Sequence, residues 1–166
     1  MKIVYYIICL VFISVFQPTF IQEIEIFGIA PNLFLTFVIM TGIFKGKTEG
    51  LMVGMIFGLI YDLLIGRMVG VNSLLYLYAG FGAGVLGEQF YGMGKVVAGV
   101  VGTFAGTILV GLLYYFARQM ISDDIGITVA LFRISFIEGI YNAVVSLLLI
   151  FPMNWLMKLM KIGEPV

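Results

Sequence analysis

Glycine occupies seven of the eight positions spaced four apart between Gly42 and Gly70, and this spacing constrains the fold more than any other feature of the sequence. The positions of the series are Gly42, Gly46, Gly50, Gly54, Gly58, Asp62, Gly66 and Gly70. Residues four apart lie on one face of a helix, so glycines at this spacing leave a groove that another helix can approach closely. Each interior glycine costs roughly 1 kcal/mol relative to alanine in water, whereas a bilayer forces backbone hydrogen bonds inward. The series therefore predicts close-packed membrane helices.

The composition supports a membrane location and excludes several classes of protein. Of the 166 residues, 62% are hydrophobic and 11% are charged, which is too apolar for a soluble domain of this length. Nine Lys and Arg residues balance nine Asp and Glu residues, so no basic excess indicates nucleic-acid binding. Cys9 is the only cysteine and histidine is absent, which excludes disulfide frameworks, thiolate zinc sites and histidine-based triads. We therefore expect a membrane protein without a metal or cofactor.

Apolar runs of membrane-spanning length recur six times along the chain. They predict an all-α polytopic membrane protein with about six transmembrane helices in a single domain, residues 1–166. The predicted spans are about 3–21, 27–44, 49–65, 71–87, 96–117 and 128–151. The first run lacks a small-x-small cleavage site and is interpreted as a retained helix. The second run is short, and it is interpreted either as a full crossing or as a tilted, partly re-entrant segment.

The distribution of cations predicts the orientation of these spans. Lysine and arginine near the ends of spans are retained on the cytoplasmic side. With the N-terminus inside, Arg67 and Arg118 fall outside. The same arrangement places all six lysines inside, at Lys2, Lys45, Lys47, Lys95, Lys158 and Lys161. We therefore expect both termini in the cytoplasm, and the opposite orientation is the alternative.

Small residues at helical spacing occur on three of the predicted spans. They are Gly50, Gly54 and Gly58 on the third, Gly80 and Gly84 on the fourth, and Gly102 and Gly106 on the fifth. Such residues serve either packing between helices of the same chain or binding of a partner helix. These positions are our candidates for helix packing or partner binding.

Four polar residues inside the predicted spans require an explanation, because charge within a membrane helix is costly. Asp62 near the outer end of the third span is either a contact that fixes this helix against another helix or partner, or an acid that reaches water. Arg133 and Glu138 on the sixth span are five residues apart and point in different directions, so each needs its own partner. Asn142 shares a face with Glu138, and the pair indicates either a helix-packing hydrogen bond or an ion pathway.

Three stretches of the chain carry a resemblance to a known family. They are PNLFL at 31–35, EGLMVGMIFGLIYDLLIGRMVGVNSLLYLYAGFGAG at 49–84, and EGIYNAVVSLLLIFPMNWLM at 138–157. Together with the size and six-span hydropathy, they resemble the rod shape-determining membrane protein MreD. The chain departs from that family at Asn32, where an acid often follows the proline.

The resemblance implies a component of the bacterial cell-elongation machinery in the cytoplasmic membrane, and it implies no enzyme activity. Proteins of this family associate with MreC, which has one membrane helix. They belong to an assembly with MreB, RodA and a class B penicillin-binding protein. The resemblance also implies a fold similar to the S components of energy-coupling-factor vitamin transporters.

From these observations we expect a non-enzymatic membrane scaffold. It would bind MreC through its small-residue grooves and help to control cell shape and lateral peptidoglycan synthesis. The alternative is a substrate-binding S-type subunit of a vitamin transporter, with Arg67, Asn72, Arg118 and Asp124 as candidate pocket residues. A membrane enzyme that uses Asp62, Arg133 and Glu138 is a third hypothesis, although the sequence contains no nucleophile-base pair to support it.

Overall fold

The computed structural model is built from helices that follow the apolar runs of the sequence. It describes residues 2–21, 28–65, 69–119 and 128–160, without the side chains of residues 20, 21, 118, 119 and 128–134. Within these ranges the elements are α1 (Lys2–Phe16), a π-helical turn (Gln17–Ile21), α2 (Leu33–Lys45), α3 (Lys47–Leu64), α4 (Val71–Gly87), α5 (Met93–Gln119) and α6 (Thr128–Leu159).

Helix α2 is the centre of the bundle. It packs against α3, α4, α5 and α6, and every residue from Leu33 to Ile43 is buried. Asn32 begins the helix, because its side-chain oxygen accepts a hydrogen bond from the backbone N–H of Leu35 at 3.0 Å. A helix enclosed by other helices has no face that lipid must cover. This explains why α2 is apolar on all sides, with Thr36 and Thr41 as the buried hydroxyl residues of its interior.

Three helical segments of the described chain are long and apolar enough to cross a membrane. They are Lys2–Thr19, Met93–Ala117 and Ser135–Leu159. Helices α2 and α4 are shorter and apolar, and α3 carries its charged residues close to its two ends. Many large apolar side chains are exposed on the outside of the bundle, as contact with lipid requires. The all-α membrane fold expected from the sequence is therefore confirmed, while the six spans and their orientation remain a prediction.

Helix α1 lies at the edge of the bundle and is held at both of its ends. Its buried residues Tyr5, Cys9 and Ile13 are four apart and form one inward face. At its start, Lys2 Nζ and the Tyr6 hydroxyl both donate to the Glu49 carboxylate. At its end, Gln17 Nε2 donates to the Pro31 carbonyl at 2.9 Å and Gln17 Oε1 accepts from the Leu33 N–H at 2.8 Å. Gln17 thereby connects α1 to the start of α2.

Helix α6 continues through Pro152, whereas the sequence predicted that the last span ends near residue 151. A proline inside a helix removes one hydrogen bond and crowds the preceding turn. Met153 and Met157 follow it on the inward face, and both are buried. Their packing against the core offsets the cost of the proline and extends the helix to Leu159.

Candidate functional site

A chain of hydrogen bonds joins four helices beside the start of α2. The backbone N–H of Asn32 donates to Asn142 Oδ1 at 2.7 Å, and Asn32 Nδ2 donates to the Tyr76 hydroxyl at 2.7 Å. Asn142 Nδ2 donates to Thr107 Oγ1 at 3.0 Å. All four residues are buried, where an unpaired polar group would be costly. The network therefore fixes α2, α4, α5 and α6 relative to one another.

A polar cavity of about 270 Å³ lies beside this network. Side chains from α2, α3, α4, α5 and α6 line it. They include Asn32, Tyr61, Asn72, Tyr76, Tyr114 and Glu138. The ring centroids of Tyr61 and Tyr76 are 5.6 Å apart and their planes are tilted by 48°, so two aromatic rings form one corner of the cavity. The lining combines hydroxyls, amides and a carboxyl group, which is the composition of a site for a small polar molecule.

The structure brings Glu138 and Asn142 to this cavity and network from one face of α6, as their spacing predicts. The carboxyl group of Glu138 interacts with the side chains of Asn142 and Asn32, and the residue as a whole is half-buried. Asn142 makes interhelical hydrogen bonds of the packing kind. The side chain of Arg133 lies outside the described residues, so its separate partner remains a prediction.

Asp62 binds the beginning of α4. Its Oδ2 accepts hydrogen bonds from the backbone N–H groups of Gly70 at 2.8 Å and Ser73 at 3.1 Å. Its Oδ1 accepts from Asn72 Nδ2 at 2.8 Å. A carboxylate at this place pairs N–H groups that the first helical turn leaves without partners, and it complements the positive end of the helix dipole. Asp62 therefore fixes α3 against α4, and we call the end of the bundle where it lies the Asp62 end.

The glycines of α3 pack against the backbone of α4. A Cβ atom added to Gly54 would lie 3.0 Å from Leu77 Cα, and one added to Gly58 would lie 2.6 Å from Ser73 Cα. From the other side, Gly80 and Gly84 face the backbone of Gly50 and Lys47. In this structure α4 of the same chain fills this groove, so the packing alternative applies to it and partner binding at α3 stays a prediction. The five glycines of this contact pack two helices of the same chain against each other. They are Gly50, Gly54, Gly58, Gly80 and Gly84.

Four glycines, Gly42, Gly50, Gly80 and Gly84, meet where α2, α3 and α4 cross. A Cβ atom on Gly50 would lie 2.7 Å from Gly42 Cα, and a Cβ atom on Gly42 would lie 3.0 Å from the Gly84 nitrogen. Gly42 precedes the turn at Gly46 and lies on a different helix from Gly50. The four-residue series thus continues across the turn between two helices, and Gly42 was not among the predicted site residues.

Gly102 and Gly106 belong to a second groove, between α4 and α5. This groove is apolar and has a volume of about 510 Å³, and small residues of both helices line it together with larger apolar side chains. A Cβ atom on Gly102 or Gly106 would meet only the side-chain ends of Ile43 or Ile39, and a Cβ atom on Gly82 would meet nothing within 4 Å. In contrast to the α3–α4 contact, no helix among the described residues fills this groove.

Sequence reasoning missed the other members of the hydrogen-bond network that contains Asn142. Asn32, Tyr76 and Thr107 lie on three different helices and far from Asn142 in the chain, so no local spacing relates them. The available signal was that a buried amide needs partners with both donor and acceptor groups. Of the pocket residues expected for a vitamin transporter subunit, Asn72 lines the cavity. Arg67 and Asp124 and the side chain of Arg118 lie outside the described residues, and that alternative remains a prediction.

Comparison with known proteins gives one match. The family model of the rod shape-determining protein MreD matches residues 1–160, which is almost the whole chain. No curated protein and no solved structure matches the chain significantly. The matched family is one of shape-determining structural proteins and is not a known enzyme family. The matched residues include every helix that lines the polar cavity, the contact of Asp62 with α4, and the glycines of α3, α4 and α5. The chain therefore belongs to the MreD family of rod shape-determining membrane proteins.

Proposed function

We propose that this protein is a non-enzymatic, multi-pass scaffold of the bacterial cytoplasmic membrane, and that it binds the single membrane helix of MreC in the groove between α4 and α5. Membership of the MreD family supports a role in rod shape determination. The open apolar groove is the observation that supports a helix-binding surface at this place.

The groove has the properties that a transmembrane helix requires of its partner. Its α4 wall contains Ala79, Gly82 and Ala83, and its α5 wall contains Gly102, Ala105 and Gly106. Small residues let two helix backbones approach closely, so that van der Waals contact replaces contact with lipid. Helix α4 already fills the groove of α3. We therefore place the binding of a partner helix by small residues at the groove between α4 and α5.

The same scaffold accounts for the other proposed partners. A bundle with both termini in the cytoplasm would place MreB on the side that carries the lysines. The protein would contact RodA and the class B penicillin-binding protein within the membrane or on its outer side. The extracytoplasmic domain of MreC would also lie on the outer side. Through this assembly the protein would help to control lateral peptidoglycan synthesis.

Copurification with MreC tests the groove directly. The variant Gly82→Leu/Ala105→Leu places two bulky side chains in the groove, where both positions are exposed and Gly82 has free space around it. We expect recovery of MreC to fall at least about fivefold, which corresponds to about 1 kcal/mol of binding free energy. The matched control is Val144→Trp, which adds bulk on an exposed position of α6 away from the groove.

The outcome is interpretable only for folded protein, so both variants are compared with the unchanged chain by size-exclusion chromatography and thermal unfolding. A folded groove variant that recovers MreC as well as the unchanged chain would show that MreC binds elsewhere. If the Val144→Trp control also loses MreC, the loss is not specific to the groove, and the groove proposal would be contradicted.

A further inference from the structure

The polar cavity at the Asp62 end contains a carboxyl group, and none of the side chains that the structure describes in its lining is cationic. Among the described residues that line the cavity, Glu138 is the residue with a carboxyl group, and the others are apolar residues, tyrosines, asparagines and a threonine. Its interacting neighbours, Asn32 and Asn142, are neutral amides. Hydrogen bonds from neutral groups offset only part of the cost of placing a carboxylate away from bulk water. The cavity therefore favours a ligand that supplies positive charge.

The second carboxylate at this end of the bundle does not compete for that ligand. Both oxygens of Asp62 already accept hydrogen bonds, from Gly70, Ser73 and Asn72, and the side chain is buried. Asp62 is not among the residues that line the cavity. Glu138, in contrast, lines the cavity.

Aromatic rings make the cavity suitable for an organic cation. Tyr61, Tyr76 and Tyr114 line it together with Glu138, and the rings of Tyr61 and Tyr76 form a corner with their centroids 5.6 Å apart. Ammonium groups with alkyl substituents are attracted to aromatic rings as well as to carboxylates. Leu35 and Val110 add apolar surface to the lining, which an alkylammonium ion can contact and a hydrated metal ion cannot.

We propose that this cavity binds a small organic ammonium ion, with its cationic group at Glu138 and its carbon atoms against the tyrosines and Leu35. The volume of about 270 Å³ lies just below the range of about 300–1,000 Å³ that drug-sized ligands occupy, which favours a compact ion of the size of choline or ethanolamine. The ion is either a free amine or the headgroup of an aminophospholipid. The argument for this site does not rest on the groove for MreC, although Val110 lines both.

Thermal unfolding of the purified full-length chain in detergent tests the proposal with choline chloride as the probe. Sodium chloride at equal ionic strength and glycerol serve as the comparison solutes. Saturating choline should raise the unfolding temperature by about 3 °C or more, because a ligand that binds only the folded state stabilises it. The rise should disappear in Glu138→Gln and persist in the control Glu88→Gln, which alters an exposed carboxylate paired with Lys47.

A wild-type measurement avoids dependence on the folding of a variant. Dicyclohexylcarbodiimide modifies carboxyl groups in membrane helices, and mass spectrometry identifies the modified residue. Choline should slow modification of Glu138 several-fold, whereas glycerol should not. Equal rates with choline and sodium chloride, a choline shift retained by Glu138→Gln, or stabilisation by glycerol but not by choline would each overturn the proposal.

Lipid nanodiscs distinguish the two sources of the ammonium group. If an aminophospholipid headgroup is the ligand, phosphatidylethanolamine discs should raise the unfolding temperature above that in phosphatidylglycerol discs, and Glu138→Gln should remove the difference. If a free amine is the ligand, the two lipids should give equal temperatures and choline should stabilise the protein in both. Each result supports the cation site and assigns its source.

Discussion

The carboxylate of Asp62 holds the end of α3 against the beginning of α4 through three hydrogen bonds. Two of the donors are backbone N–H groups at the start of a helix, which have no partner within the helix itself. The sequence indicates that an acid in this position needs a partner or must reach water. It could not identify the partners, because two of them are backbone groups and the position of all three depends on how the chain turns into α4.

At the same scale, we expect Asp62→Ala to destabilise the protein by about 1–3 kcal/mol, because it leaves buried donors without an acceptor. Thermal or denaturant-induced unfolding in detergent, followed by circular dichroism, measures the change. The control is Glu88→Ala, which removes an exposed ion pair with Lys47 at 3.4 Å and should cost less than about 1 kcal/mol. Equal stability of the two variants would contradict the capping role.

At the scale of elements, the glycines decide which helices can pack together. Helix α3 meets α4 at Gly50, Gly54 and Gly58 with backbone against backbone. The packing energy of this contact offsets the low helix propensity of glycine. The four-residue period was sufficient to predict a close-packing face on α3. The sequence could not show which helix fills that face, since the second spacing, at Gly80 and Gly84, fits a partner within the chain and a partner outside it equally well.

The substitutions Gly54→Ala and Gly82→Ala separate these effects within one helix pair. Alanine gains about 1 kcal/mol of helix propensity at either position. At Gly54 the new methyl group would collide with the backbone of Tyr76 and Leu77, whereas at Gly82 it would meet open space. We expect Gly54→Ala to lower the free energy of unfolding by about 1–3 kcal/mol and Gly82→Ala to leave it unchanged or raise it. Unfolding curves in the same detergent make the comparison, and similar losses in both variants would contradict the close α3–α4 contact.

At the scale of the whole molecule, the lysines near the start of α1, the α2–α3 turn and the start of α5 gather at one end of the part of the bundle that the structure describes. Lys2 and Lys47 pair with Glu49 and Glu88, and Lys45 interacts with Lys2 and Lys95 through space. These residues lie where α2 ends and α3 begins, opposite the Asp62 end. The sequence predicted this segregation because the cation count depends only on the order of the spans. The cavity and the network of Asn32 and Asn142 could not be predicted in the same way, since they arise from residues that five separate helices bring together.

The segregation of charge supports a definite orientation, which single cysteines can test. Because lysines are retained on the cytoplasmic side, the turn after α4 should face the cytoplasm and the Asp62 end should face outward. In a Cys9→Ser background, Val69→Cys and Tyr91→Cys place one thiol at each end, at positions where the native side chains are 68% and 83% exposed. A membrane-impermeant maleimide applied to intact spheroplasts should modify Val69→Cys several-fold faster than Tyr91→Cys, and lysis should equalise the two rates. The reverse preference would establish the opposite orientation and would move the proposed ammonium site to the cytoplasmic side, where the ligand would come from the cell interior.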